Sequence, residues 1–226
     1  MSIPNGSDPY YQDDLVTLYH GDCLEQTAWL DADVLVTDPP YGVAYTSGWV
    51  EGRQRNTTGI QNDRTPQVRD AALRLWGDKP AIVFGSWRIQ KPESTRQMLI
   101  WDKGNDPGTG DLTMPWGSSF EEIYVIGRGD IWQGGRTVSV LRHNKPGGGD
   151  RPDHPTPKPV PLMEALLAKC PAGVITDPFA GSGSTLVAAV NQGRKAIGVE
   201  YEERYCELIA TRLSSQTAVL DFGGVS

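Results

Sequence analysis

Short apolar runs alternating with stretches of helical periodicity predict an α/β fold, a mostly parallel sheet covered by helices on both faces. Three observations carry that prediction. Seven runs have strand length and composition: Val16–Tyr19, Val34–Thr37, Ala81–Phe84, Met98–Trp101, Ile123–Ile126, Val174–Thr176 and Ala196–Val199. Four stretches, Gln67–Trp76, Val160–Ala168, Ser184–Asn191 and Glu202–Leu213, repeat apolar residues at helical spacing. Two of the runs lead into turns of unusual chemistry, at Asp38 and at Asp177. Those turns fall at the carboxyl ends of strands, where open α/β sheets bind ligands.

The first turn is Asp38-Pro39-Pro40-Tyr41. Two prolines forbid continuation of the strand and supply no N–H donors. A carboxylate, two residues of fixed φ and an aromatic ring can accept hydrogen bonds from a flat amine and stack on its face, as a nucleobase requires. An ordinary Pro-Pro turn after a core strand has the same composition. The second turn is Asp177-Pro178-Phe179-Ala180-Gly181-Ser182-Gly183-Ser184-Thr185. Gly181 and Gly183 let backbone N–H groups approach a ligand closely, and the following helix presents its positive end. Ser182 is a usable helix cap and Gly193 a stop. No lysine follows the second glycine, which argues against a phosphate-cradling P-loop, and Leu186 stands where a dinucleotide fingerprint has its third glycine. Glu200 ends the next strand 19 residues after Gly181, where an acid typically holds ribose hydroxyls. A tight strand–helix turn beside a surface glutamate is the bland alternative.

At 226 residues and 38% apolar content, one domain is expected over 1–226. No stretch of eighteen apolar residues appears and Met1–Asp14 lacks a signal-peptide pattern, so a cytoplasmic protein is expected. Cys23, Cys170 and Cys206 have neither zinc-site nor redox-pair spacing and are read as reduced core thiols. His20 and His143 have no metal-ligand partners at suitable spacing, and no metal is assigned. The formal charge of −7 opposes wholesale coating of nucleic acid, yet residues 53–74 and 128–158 each carry a local excess of three positive charges. Both overlap long loops, Gly42–Pro66 and Gly127–Pro157. Loops this long in a compact domain are usually functional or disordered. Trp49, Trp87, Trp116 and Trp132 are assigned to core or rim packing in preference to base stacking, and Asp102-Lys103 to a strand-end ion pair.

Taken together, the motifs resemble a known family. Asp38-Pro39-Pro40-Tyr41, the Asp177–Ser184 turn and the intervening His154-Pro155-Thr156-Pro157-Lys158-Pro159 look like the amino-group DNA methyltransferases that use S-adenosylmethionine. The catalytic motif precedes the cofactor motif, as in the permuted β group of that family. The resemblance extends from Leu18-Tyr19-His20-Gly21-Asp22 through Val83-Phe84-Gly85 and Ile100-Trp101-Asp102-Lys103 to Glu200. It implies a Rossmann-like fold with a seven-stranded, mostly parallel sheet. It also implies that Phe179, Gly181, Ser182, Gly183 and Thr185 wrap the methionine part of the cofactor, with Asp177 facing its ammonium and Lys158 and His154 near its carboxylate. Glu200 would hold the ribose and Asp22 the adenine amino group, with Asp38 on both the cofactor and the catalytic side. Pro157 stands where glutamine is common. The segment 128–153, where target-recognition residues usually sit, is only about 26 residues long.

By the same resemblance, Asp38, Pro39, Pro40 and Tyr41 are the catalytic tetrapeptide. The Asp38 carboxylate and the Pro39 carbonyl would accept the two hydrogens of an exocyclic amine and turn its lone pair toward the sulfonium methyl. Tyr41 would stack on the flipped-out base. Aspartate at the first position is the more usual choice for adenine N6, and serine for cytosine N4. Double-stranded DNA is the expected partner, with Arg53, Arg55, Arg64, Arg136 and Arg142 as candidate phosphate contacts, and a homodimer is an option. Cytosine-N4 methylation, RNA adenine methylation and a non-catalytic DNA-binding module are the alternatives. Protein glutamine methylation would need the reverse motif order, and an oxidoreductase more chain after Gly181.

Overall fold

The computed structural model describes residues 8–40, 67–104, 113–147, 154 and 156–222, with side chains described up to residue 216. Among these residues the chain forms β1 (Tyr11–Gln12), β2 (Val16–His20), β3 (Val34–Thr37), α1 (Gln67–Trp76), β4 (Ala81–Gly85), β5 (Thr95–Asp102), β6 (Phe120–Ile126), β7 (Val140–Arg142), α2 (Val160–Leu167), β8 (Ile175–Asp177), α3 (Ser184–Asn191), β9 (Ala196–Glu200) and α4 (Glu203–Phe222). The strands make one sheet in the order β1-β2-β9-β8-β3-β4-β6-β5-β7. From β2 to β4 every neighbouring pair is parallel, and β6 runs antiparallel between β4 and β5.

Each of the seven expected strand runs is a strand. Two short edge pieces are added. β1 pairs antiparallel with β2, and β7 pairs parallel with β5 through Ile100 and Val140. The latter lies inside the expected loop Gly127–Pro157, which also holds a 3-10 turn at Gly129–Ile131. Both edge pieces are partly exposed and so lack the continuous buried apolar run that marks a three-residue strand such as β8 in the sequence.

Both faces of the sheet are covered, and the pleat sorts the residues between them. Val34 and Val36 of β3 and Ile82 and Phe84 of β4 face a core filled by α2, α3 and α4. Their neighbours Leu35, Ala81 and Val83 face a second core with Trp29, Ala72 and Trp76. Trp29 and Trp76 stack at 5.8 Å. α3 is buried at every position from Ser184 to Val190, as expected of a helix apolar all round. The three cysteines are buried free thiols, as expected from their spacing.

Two helix ends differ from expectation. Ser182 does not cap α3. Gly183 does, in the left-handed conformation at φ +77°, while the Ser182 hydroxyl lies 3.1 Å from that of Ser184. A side chain at 183 would also press on Ile209, whose Cγ1 lies 2.9 Å from where a Cβ would stand. α4 continues past the expected stop at Leu213 to Phe222, because Ser214 and Ser215 satisfy their hydroxyls on backbone carbonyls of the preceding turn instead of ending the helix.

Candidate active site

The carboxyl ends of β2, β9, β8 and β3 are adjacent in the sheet, and each leads into an acidic residue: Asp22, Glu200, Asp177 and Asp38. Four carboxylates along one sheet edge suit a ligand that is cationic and rich in hydrogen-bond donors. They repel a phosphate.

Asp177 is buried and held by neutral donors. Thr37 Oγ1 and Thr185 Oγ1 donate to its two oxygens at 2.6 Å each, and the Phe179 N–H donates at 3.1 Å. Burial pushes its carboxyl up to about 6 against these hydrogen bonds. Thr37 therefore ties the end of β3 to the end of β8, whose register pairs Leu35 with Thr176. Glu200 is held similarly. Its two oxygens accept from the Gly181 N–H at 2.7 Å and the Glu202 N–H at 2.8 Å, and burial raises it to about 7.

Gly181 sits at φ +52°, and a Cβ there would come within 3.2 Å of His154 Nε2. His154 packs edge-on against Tyr205 at 4.6 Å, so the histidine of the 154–159 motif lies over the glycine turn. Arg212 of α4 donates to the Ser182 carbonyl. Asp22 accepts from the Leu24 N–H at 2.9 Å and shapes the turn after β2.

Lys158 is anchored from α3, where Ser184 Oγ donates to the Lys158 carbonyl at 2.8 Å. Its ammonium is buried against Asp38, with Glu121 Oε2 at 3.2 Å on its other side. Burial by itself would lower this amine, but the two carboxylates outweigh it and hold Lys158 above the ordinary lysine range. Pro39 is buried and Pro40 half-buried beside them.

Phe179, Gly181, Ser182, Gly183, Thr185, His154 and Glu200 thus gather around one turn, with Asp38 at the neighbouring strand end and Lys158, from the segment before α2, paired with it. Tyr41, Arg53, Arg55, Arg64 and Trp49 lie outside the described residues. Arg136 is exposed, and Arg142, also exposed, pairs with Asp102 at 2.8 Å. Two expectations are corrected. Asp102 and Lys103 do not pair with each other, since successive strand residues face opposite ways: Asp102 meets Arg142, and Lys103 meets Glu121 at 2.7 Å. Trp87 and Trp116 are 65% and 79% exposed, not packed, whereas Trp132 packs on the core. Arg69, in the basic segment 53–74 and in the expected helix Gln67–Trp76, is buried in α1 beside Asp70.

Glu121 went unnoticed in the sequence. The available signal is its alternation with Ile123, fully buried, which puts a carboxylate on a core-facing side.

A family model described as DNA methylase matches residues 78–211. The chain belongs to the amino-group DNA methyltransferases. This methyltransferase is 39% identical to the type II methyltransferase M2.MboI of Moraxella bovis, over 94% of its own length and 93% of that relative's. It is 38% identical to the DNA adenine methyltransferase YhdJ of Escherichia coli (strain K12), over 87% and 82% of the two chains. Among solved structures, M1.HpyAVI in complex with S-adenosylmethionine shares the fold at a TM-score of 0.65 and 21% identity, covering 88% of this chain and 99% of that one. The cytosine-N4-specific PvuII DNA methyltransferase does so at 0.66 and 14%, covering 92% and 89%. The fold is the Rossmann-like methyltransferase fold, and the cofactor is S-adenosylmethionine. The residues present suit it, because its sulfonium, ammonium, ribose hydroxyls and adenine amino group are cations or donors of the kind that a row of carboxylates favours. No helix among the described residues is long and apolar enough to cross a membrane.

Proposed function

We propose that this DNA methyltransferase methylates the exocyclic N6 of adenine in double-stranded DNA, on a base turned out of the duplex, and that it belongs to the permuted β group. One observation carries the reading. Thr37 and Asp177 are hydrogen-bonded at 2.6 Å, so the Asp38 carboxylate and the Gly181 turn open from neighbouring strand ends. The adenine methyltransferase named among the relatives supports the choice of base.

S-adenosylmethionine supplies an activated methyl group on a sulfonium. What remains for the chain is to bind, orient and exclude water. Glu200, Asp22 and His154, with the turn from Phe179 to Thr185 that Asp177 braces through Thr185 and the Phe179 N–H, hold the donor. Asp38 and the Pro39 carbonyl accept the two amine hydrogens, which frees the nitrogen lone pair from the ring and points it at the methyl. Pro40 fixes the backbone, and Tyr41 stacks on the extruded ring. Arg53, Arg55, Arg64, Arg136 and Arg142 contact phosphates. The short 128–153 segment and the 42–66 loop read a short site.

Incubation with methyl-labelled cofactor and duplex DNA, followed by digestion to nucleosides, tests this. The expected label is in N6-methyladenosine. Label confined to cytosine transfers the mechanism to N4 and overturns the adenine assignment, and preferential labelling of RNA overturns the duplex substrate.

A further inference from the structure

Beside the proposed catalytic carboxylate lies a row of alternating charges, one member of which, Glu121, falls in none of the recognised motifs. Asp38 pairs with Lys158, Lys158 with Glu121 at 3.2 Å, and Glu121 with Lys103 at 2.7 Å. Both lysine side chains are below 10% exposure. Their surroundings are aromatic: Lys158 Nζ lies 5.1 Å from the Phe84 ring centre and 5.9 Å from that of Trp101, and Lys103 Nζ lies 5.2 Å from Trp101. The four charges come from four places in the chain: the end of β3, the start of β6, the residue after β5 and the segment before α2. A packing role alone does not call for this. Buried ions are costly, and a hydrophobic replacement for such a pair is often neutral or stabilising.

We infer that Glu121, supported by Lys103, is a positioning residue for methyl transfer: it shares the Lys158 ammonium with Asp38 and so fixes the lysine that orients the Asp38 carboxylate toward the target amine. With Glu121 neutralised, Lys158 has one anionic partner fewer among these four groups, and the ammonium shifts together with the carboxylate it orients. The inference rests on the role proposed for Asp38 but not on which base is methylated.

The test is Glu121→Gln, which keeps the shape and removes the charge. The expected result is a kcat about 10- to 100-fold lower, the size of loss that follows a small misplacement of a reacting group, with KM for DNA and cofactor affinity within about twofold of the parent. Glu121→Asp restores part of kcat. Glu122→Gln, on the opposite face and paired with Tyr124, leaves kcat within about twofold. A second readout needs no turnover. In nitrogen-15 spectra of lysine-labelled, cofactor-free protein, the Lys158 ammonium signal moves in Glu121→Gln and not in Glu122→Gln.

A folded Glu121→Gln protein with parental kcat, or with an unmoved Lys158 signal, overturns the inference. If that variant does not fold, Lys103→Gln carries the same two readouts with a smaller expected loss, and no change in either overturns it equally. Should the parent transfer no methyl to any base, the proposed function fails, while the ammonium signal still decides whether Glu121 holds Lys158.

Discussion

Two aspartates at neighbouring strand ends are handled in opposite ways. Asp177 is closed off, its oxygens occupied by two threonine hydroxyls and a backbone N–H, with no cation among the partners at hydrogen-bond distance. Asp38 remains 23% exposed and is balanced by a buried lysine that a glutamate shares. Neutral donors orient a carboxylate without cancelling its charge, and burial then raises its affinity for a proton. A cation orients a carboxylate by balancing its charge. One aspartate is thereby part of a frame, and the other, in the function proposed above, is the one held toward the substrate.

The sharpest way to break that contrast is to remove the presented group. Asp38→Ala is expected to lower kcat by about 100-fold or more, by analogy with loss of a single oxyanion-hole donor, with cofactor affinity retained. Single-turnover transfer of labelled methyl beside a calorimetric titration of the cofactor would show it, and parental kcat would sink the catalytic assignment. Removing a frame donor acts on stability first. Thr185→Val leaves one Asp177 oxygen short of its hydroxyl partner and is expected to cost about 1–3 kcal/mol in urea unfolding.

The pH dependence sharpens the same comparison at Glu200, raised by burial from 4.5 to about 7. The folded state binds this proton more tightly than the unfolded state, so the contribution is favourable below about 4.5 and lost as pH rises through about 7. Relative to Glu200→Gln, the cofactor-free parent should lose stability over that interval, read as the difference between two unfolding series. Binding of a cationic, donor-rich cofactor favours the ionised form. Parental cofactor affinity should therefore rise across the same interval, and that rise should be smaller in the variant, where Asp177, pushed up to about 6, is the raised carboxylate that still ionises there.

The smallest effect is expected at the rim. Arg142 is 77% exposed in its pair with Asp102, and Arg142→Ala should leave stability within about 0.5 kcal/mol. If Arg142 touches a phosphate, the slope of log affinity for DNA against log salt falls by about one unit. An unchanged slope removes it from the interface.

Much of this architecture was legible from local pattern. The seven main strands and the starts and types of the four helices follow from periodicity, because those elements are long enough to repeat. β1 and β7 were not legible, being partly exposed edge pieces without a buried apolar run. The cap of α3 was misread because Ser182 has the right chemistry at the wrong backbone position, with Gly183 already in the left-handed conformation. In the site, the two turn motifs and the 154–159 segment were visible as residues, but their partners were not. Asp102 and Lys103 were assigned to each other on adjacency, whereas the pleat sends them to Arg142 and Glu121.

By itself the sequence determined which strands end in carboxylates, where the glycine turn falls and the order of the two motifs, since these are properties of short contiguous stretches. Only the tertiary structure decided that Asp38, Lys158, Glu121 and Lys103 form one row, and that Asp177 is held by neutral donors while Asp38 is paired with a buried lysine. Such pairings join residues up to 140 positions apart in the chain, and strand order and pleat fix which side chains meet, a choice that no local preference encodes.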